Sequence, residues 1–150
     1  MNYKIVSDSS SNVLSMENPH FASVPMKVRA EKEYIDDLDL DLAGMVEDLR
    51  NHKGTSGSAC PSVGEWLDAF GDADMVFGTT MSKGLSGSYN AACEAARIYM
   101  EENPGKKAFI FNTLSAFGFP PFKVKSSATY VSPRRFAWEE EFTTILSVHN

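Results

Sequence analysis

Two runs of small polar residues carry this chain's best prospects for chemistry. The first is Ser58-Ala59-Cys60-Pro61-Ser62-Val63-Gly64-Glu65-Trp66, and the second is Gly84-Leu85-Ser86-Gly87-Ser88-Tyr89. Each is expected to form a turn that feeds a helix, and a helix start leaves backbone N–H groups without intrahelical acceptors. Serine hydroxyls beside such groups suit an anionic head group. Apolar helix faces follow both runs, so the pair would grip an acid at one end and hydrocarbon at the other. The hydroxyls in question are those of Ser58 and Ser62 in the first run and of Ser86 and Ser88 in the second. The competing reading of Ser86 and Ser88 is plain helix capping, for which serine is favoured.

Other chemistries fit less well. Gly84-Leu85-Ser86-Gly87-Ser88 approaches a nucleophile elbow, but Ser88 stands where the second glycine belongs. The histidines, His20, His52 and His149, have no recognisable triad context. A small acyl hydrolase using Ser86 is therefore the alternative, and no catalytic residue is assigned. The loop from Gly78 to Ser86 lacks the Gly-Lys-Ser/Thr ending of a phosphate-binding loop. Cys60 and Cys93 fit neither zinc spacing nor a disulfide framework. No metal and no cofactor is expected. Asp8 either binds something polar or orders its own loop through an Asx turn. Ser62 and Glu65 have the spacing of a capping box.

Composition narrows the partners. The chain has 150 residues, 43% of them hydrophobic and 23% charged, which suits one globular core or one domain plus a tail. A net charge of −6 argues against nucleic acid, because neutralising phosphates needs a basic surface. No apolar run approaches the ~20 residues of a membrane span, so stable membrane insertion is not expected. The opening Met1-Asn2-Tyr3-Lys4-Ile5-Val6 meets Ser7-Asp8-Ser9-Ser10-Ser11 too soon for a signal peptide, and a cytoplasmic setting is expected.

The elements that must position the two turns are legible from periodicity. Tyr3 to Val6, Met75 to Phe77 and Ala108 to Phe111 read as short buried strands, and Phe21 to Val28 as an extended stretch interrupted by Pro25. Glu31 to Asp39 is acidic and reads as solvated, and Asp36-Asp37-Leu38-Asp39-Leu40-Asp41 as a solvated loop entering a helix. Helices are expected from Asp39 to Asn51, with Asp39 or Asp41 at its N-terminus, and around Trp66 to Phe70. The clearest helix is Ser88 to Glu102, stopped by Asn103-Pro104-Gly105. Trp66, Phe70 and Tyr89 read as core.

Strands alternating with helices predict an α/β fold with a largely parallel sheet flanked by helices. In such sheets ligands sit beyond the carboxyl ends of the strands. The loops after Val6, Phe77 and Phe111 are expected to converge there, with the Ser58 turn joining them. From Ala116 the composition changes to a crowd of aromatic and proline residues, and the alternation stops.

These residues together resemble the DegV family of bacterial fatty-acid-binding proteins. The resemblance runs through Lys4-Ile5-Val6-Ser7-Asp8-Ser9-Ser10, both polar runs, and Phe111-Asn112-Thr113-Leu114-Ser115-Ala116. It implies a Rossmann-like first domain over 1–116, whose two turns hold a long-chain fatty acid by its carboxylate, with Ser58 and Ser86 as the expected donors and the N–H groups of Gly87 and Ser88 assisting. It also implies a partner kinase that phosphorylates the bound acid for phospholipid synthesis. The family's first turn usually carries threonine-serine before a residue and proline. Ser58 keeps a hydroxyl there, and Thr55-Ser56 is the runner-up alignment. In the family a second α/β domain follows. Here 117–150 reads as a divergent tail in its place, as expected of a frameshifted or truncated gene or of a single-domain variant. A non-binding fragment is the third reading.

Overall fold

The computed structural model describes residues 2–113, and the aromatic segment from 117 onward lies outside them. Its centre is a parallel sheet. β1 (Tyr3–Asp8) pairs with β2 (Phe21–Val24) on one side and β6 (Met75–Thr80) on the other, and β7 (Lys107–Asn112) completes the order β2-β1-β6-β7. Three strands thus lie where periodicity placed them, each a residue or more longer than its apolar run.

Residues two apart share a face of a strand. In register, Val6 and Val24 therefore lie on the same face as Val76 and Ala108. That face is covered by α2 (Val63–Phe70) and α3 (Ser88–Glu102). Trp66 and Phe70 from α2 join Ala92, Ala95, Ala96 and Tyr99 from α3 in one buried cluster with the strand valines. The alanines recur at helical steps and let α3 lie close to the sheet. Phe70 packs edge-on to Tyr99 and tilted against Trp66, with ring centroids 5.5 and 6.1 Å apart. Trp66 and Phe70 are core, as expected, whereas Tyr89 is half-buried and outside the cluster.

The stretch from Phe21 to Val28 divides at Pro25, which has no N–H to give a ladder. β2 ends at Val24, and the chain passes into a second, antiparallel sheet of order β4-β3-β5. Its strands are β3 (Lys27–Arg29), β4 (Glu33–Ile35) and β5 (Gly57–Ala59). This sheet corrects two expectations. The acidic stretch from Glu31 contains β4, although Glu33 and Ile35 are exposed as a solvated segment would be. Ser58 lies in an edge strand opposite Val28, not in a turn at a helix start. Three-residue strands are too short to declare a period of two, and β3 and β4 each carry charged residues.

α1 (Leu42–Asn51) starts later than Asp39; the Asp41 carboxylate accepts from the Gly44 N–H at 2.9 Å and caps it. None of its residues is buried, and an open groove on it, lined by Leu42, Ala43, Val46, Glu47, Arg50 and Asn51, includes no residue of the polar turns.

Candidate functional site

β1 ends in Asp8, and the loop after it opens with a single turn of 3-10 helix (Ser9–Ser11). Asp8 is fully buried at the carboxyl end of a central strand. Ser10 Oγ donates to its Oδ1 at 2.5 Å, while the Met81 N–H and Ser88 Oγ donate to its Oδ2 at 3.0 and 2.6 Å. Ser9 Oγ accepts the Met26 N–H at 3.0 Å, which ties the start of the small sheet to the same edge. Thr113 Oγ1 donates to the Thr80 carbonyl at 2.9 Å, and the Lys83 N–H donates to Asn112 Oδ1 at 3.3 Å. The loops after β1, β6 and β7 therefore do converge at the strands' carboxyl ends.

The second polar run is a compact turn. The Ser82 carbonyl accepts from the Leu85 and Ser86 N–H groups at 2.9 and 3.1 Å. Gly87 is the N-cap of α3, and Ser86 Oγ accepts the Ser88 N–H at 3.2 Å. The capping reading of Ser86 holds in this sense. A hydroxyl has one proton and two lone pairs, so accepting a bond leaves its proton available. Among the described residues no acceptor takes the Ser86 proton. Ser88 is different, since its hydroxyl proton is given to Asp8.

The first polar run is braced at its far end. Ser62 caps α2 in a complete capping box. Its Oγ accepts the Glu65 N–H at 3.3 Å, and the Ser62 N–H and Oγ each donate to the Glu65 carboxylate at 2.7 Å. Lys27 Nζ reaches the other Glu65 oxygen at 2.7 Å. The Lys27 ammonium, then the Ser62 N–H, hold the Glu65 carboxyl down at about 2. Ser62 is thus spent on capping. Pro61 is fully buried, and Ser58 stands exposed on β5.

The two runs meet at Cys60 and Gly87. A Cβ on Gly87 would lie 3.0 Å from Cys60 Sγ, so any larger residue there would push the thiol back by a few tenths of an ångström. Ser58 lies two residues before Cys60 on exposed β5, and Ser86 one residue before Gly87. Cys60 and Cys93 are free and half-buried. The Cys93 thiol, then burial, pushes the Tyr89 phenol up.

The residue that sequence reasoning undervalued is Asp8. An Asx turn is a local device, whereas two of Asp8's three bonds reach 73 and 80 positions along the chain. The Lys4-Ile5-Val6-Ser7-Asp8 strand end was its only signal. The described histidines lie elsewhere. His20 stacks on Tyr3 at 4.6 Å toward the strands' amino ends, and His52 Nδ1 faces Glu31 at 3.3 Å. His149 lies outside the described residues. Among the described residues no group of three or more His, Cys, Asp or Glu could hold a metal, and no helix is long and apolar enough to cross a membrane.

Comparison with known proteins places this architecture. A DegV-domain-containing protein of Streptococcus pneumoniae is 37% identical over 123 residues, which is 79% of this chain and 44% of that one. A DegV family protein from Eubacterium eligens, solved loaded with heptadecanoic acid, is 36% identical with a TM-score of 0.73, over 76% of this chain and 42% of that one. The Streptococcus pneumoniae fatty acid kinase (Fak) B3 protein, solved loaded with linoleic acid, is also 36% identical with a TM-score of 0.73, over 77% and 43%. The chain therefore spans less than half the length of these relatives. The family described as "uncharacterised protein, DegV family" matches residues 2–129. This chain belongs to the DegV family.

Proposed function

We propose that this chain binds a long-chain fatty acid and presents its carboxylate to a partner kinase for phospholipid synthesis, and that it is itself no enzyme. The observation that carries this reading is the contact of the two polar runs at Cys60 and Gly87, at the carboxyl edge of the sheet. The fatty acids in the Eubacterium and pneumococcal relatives support it. Ser86 donates its free hydroxyl proton to the carboxylate, and Ser58 donates from the neighbouring strand. The Gly87 N–H adds a third donor, and the Ser88 N–H is shared between Ser86 Oγ and the ligand.

Magnitudes divide the labour. A charge-assisted bond from each serine contributes about 1.5–3 kcal/mol. A sixteen-carbon tail at about 0.8 kcal/mol per CH₂ contributes roughly 12 kcal/mol gross. The tail therefore supplies affinity and the serines supply orientation. Residues 1–116 act as the family's first domain. The reading carries a cytoplasmic setting with it, where the kinase would meet the bound acid.

The test is palmitate binding by the intact chain and by a Ser58→Ala, Ser86→Ala double variant. Retention of palmitate at undiminished affinity in the double variant rejects the head-group assignment. Mass spectrometry of organic extracts from the purified protein should find a co-purifying fatty acid.

A further inference from the structure

Asp8 has no part in the head-group contacts just assigned, yet it is completely buried. A carboxylate persists in such a place only when donors surround it. Three do, and among the described residues none of them is a lysine or arginine. Two of the donors mark the ends of a single loop. Met81 opens the segment between β6 and α3, and Ser88 closes it. Asp8 Oδ2 thus holds both ends of the loop that contains Ser86.

The second bond goes further than holding an end. Because Ser88 Oγ gives its proton to Asp8, the first residue of α3 is rooted beneath the loop. Its N–H then occupies a lone pair of Ser86 Oγ at 3.2 Å. With that lone pair filled, the Ser86 proton points away from Ser88. A run of two bonds therefore leads from a buried carboxylate to the orientation of one surface donor.

We propose that Asp8 is a positioning residue for the carboxylate site: through Met81 and Ser88 it fixes the Met81–Ser88 loop and aims the Ser86 hydroxyl at a fatty acid's head group. The proposal rests on the fatty-acid reading above. Asp8 touches no ligand itself. An asparagine in its place keeps the size but leaves one acceptor oxygen for three donors, and sets an NH₂ group against one of them.

The test uses palmitate and methyl palmitate, which share a tail and differ in head-group charge, on the intact chain. In Asp8→Asn and in Ser88→Ala the ratio of acid to ester affinity should fall about tenfold, as it should in Ser86→Ala, while ester affinity holds. An unchanged ratio in either folded variant, or equal losses for acid and ester, overturns the positioning role. Should Asp8→Asn fail to fold, Ser88→Ala decides alone, since it removes one hydroxyl and leaves Asp8 in place. A wild-type chain that binds neither probe overturns the fatty-acid reading and the positioning role with it. One that binds both, with the ratio intact in the variants, overturns the positioning role only.

Discussion

Lys27 Nζ lies 2.7 Å from Glu65 Oε1, joining the central strand of the small sheet to the first turn of α2. The same carboxylate closes the capping box with Ser62. One side chain thus fixes where the first polar run leaves β5 and where it enters its helix. Because Glu65 titrates near 2 in the folded chain, below its ordinary range, its contribution is present at neutral pH and is lost as pH falls from about 4.5 towards 2. Glu65→Gln should lower stability at pH 7 by about 1 kcal/mol, the pair being partly screened by solvent. Thermal melts of both proteins from pH 7 to pH 2.5 should converge as the pH drops.

The seam between the polar runs predicts a coupled pair. Gly87→Ala places a methyl 3.0 Å from Cys60 Sγ, while the backbone at φ −71° accepts alanine without strain. The variant should stay folded but raise the reactivity of the Cys60 thiol and weaken palmitate binding. Cys60→Ala in the same chain should restore binding, because it makes room for the methyl. Thiol titration with an aromatic disulfide and a double-mutant cycle on palmitate affinity check both parts.

Phe70 is completely buried between Trp66 and Tyr99. Phe70→Ala should cost about 3–5 kcal/mol, the sum of lost transfer energy and a cavity. Urea unfolding followed by far-ultraviolet circular dichroism should register it as a lower midpoint.

Tyr99 Oη donates to the carbonyl of buried Ala73 at 2.6 Å in the turn between α2 and β6. Tyr99→Phe keeps the ring packing but strips that carbonyl of its buried donor. A loss of about 1–3 kcal/mol is expected, with palmitate affinity unchanged because the turn lies outside the head-group site. A stability measurement paired with a binding isotherm separates the two effects.

Much of this molecule is legible in its residues. The strands around Val6, Val76 and Ala108 declare themselves as apolar runs, because a parallel sheet buries them. Helix α3 is bounded in the sequence by Ser88 and by Asn103-Pro104-Gly105, and the capping box at Ser62 and Glu65 is a purely local pattern. Such features depend on neighbours within a turn or two, and the chain states them outright. The small antiparallel sheet is different. Its three-residue strands have no period of their own and exist because Val28 finds both Tyr34 and Ser58 across it. That pairing moved Ser58 from an expected turn onto a strand edge. The meeting of Cys60 with Gly87, and of Asp8 with Met81 and Ser88, likewise arises only when the parallel strands set their carboxyl ends side by side. Local patterns determined the helices and the runs that become the parallel strands, since caps and hydrophobic periodicity involve only near neighbours. The tertiary arrangement alone decided which serine keeps a free proton, because that depends on partners as many as 80 residues away.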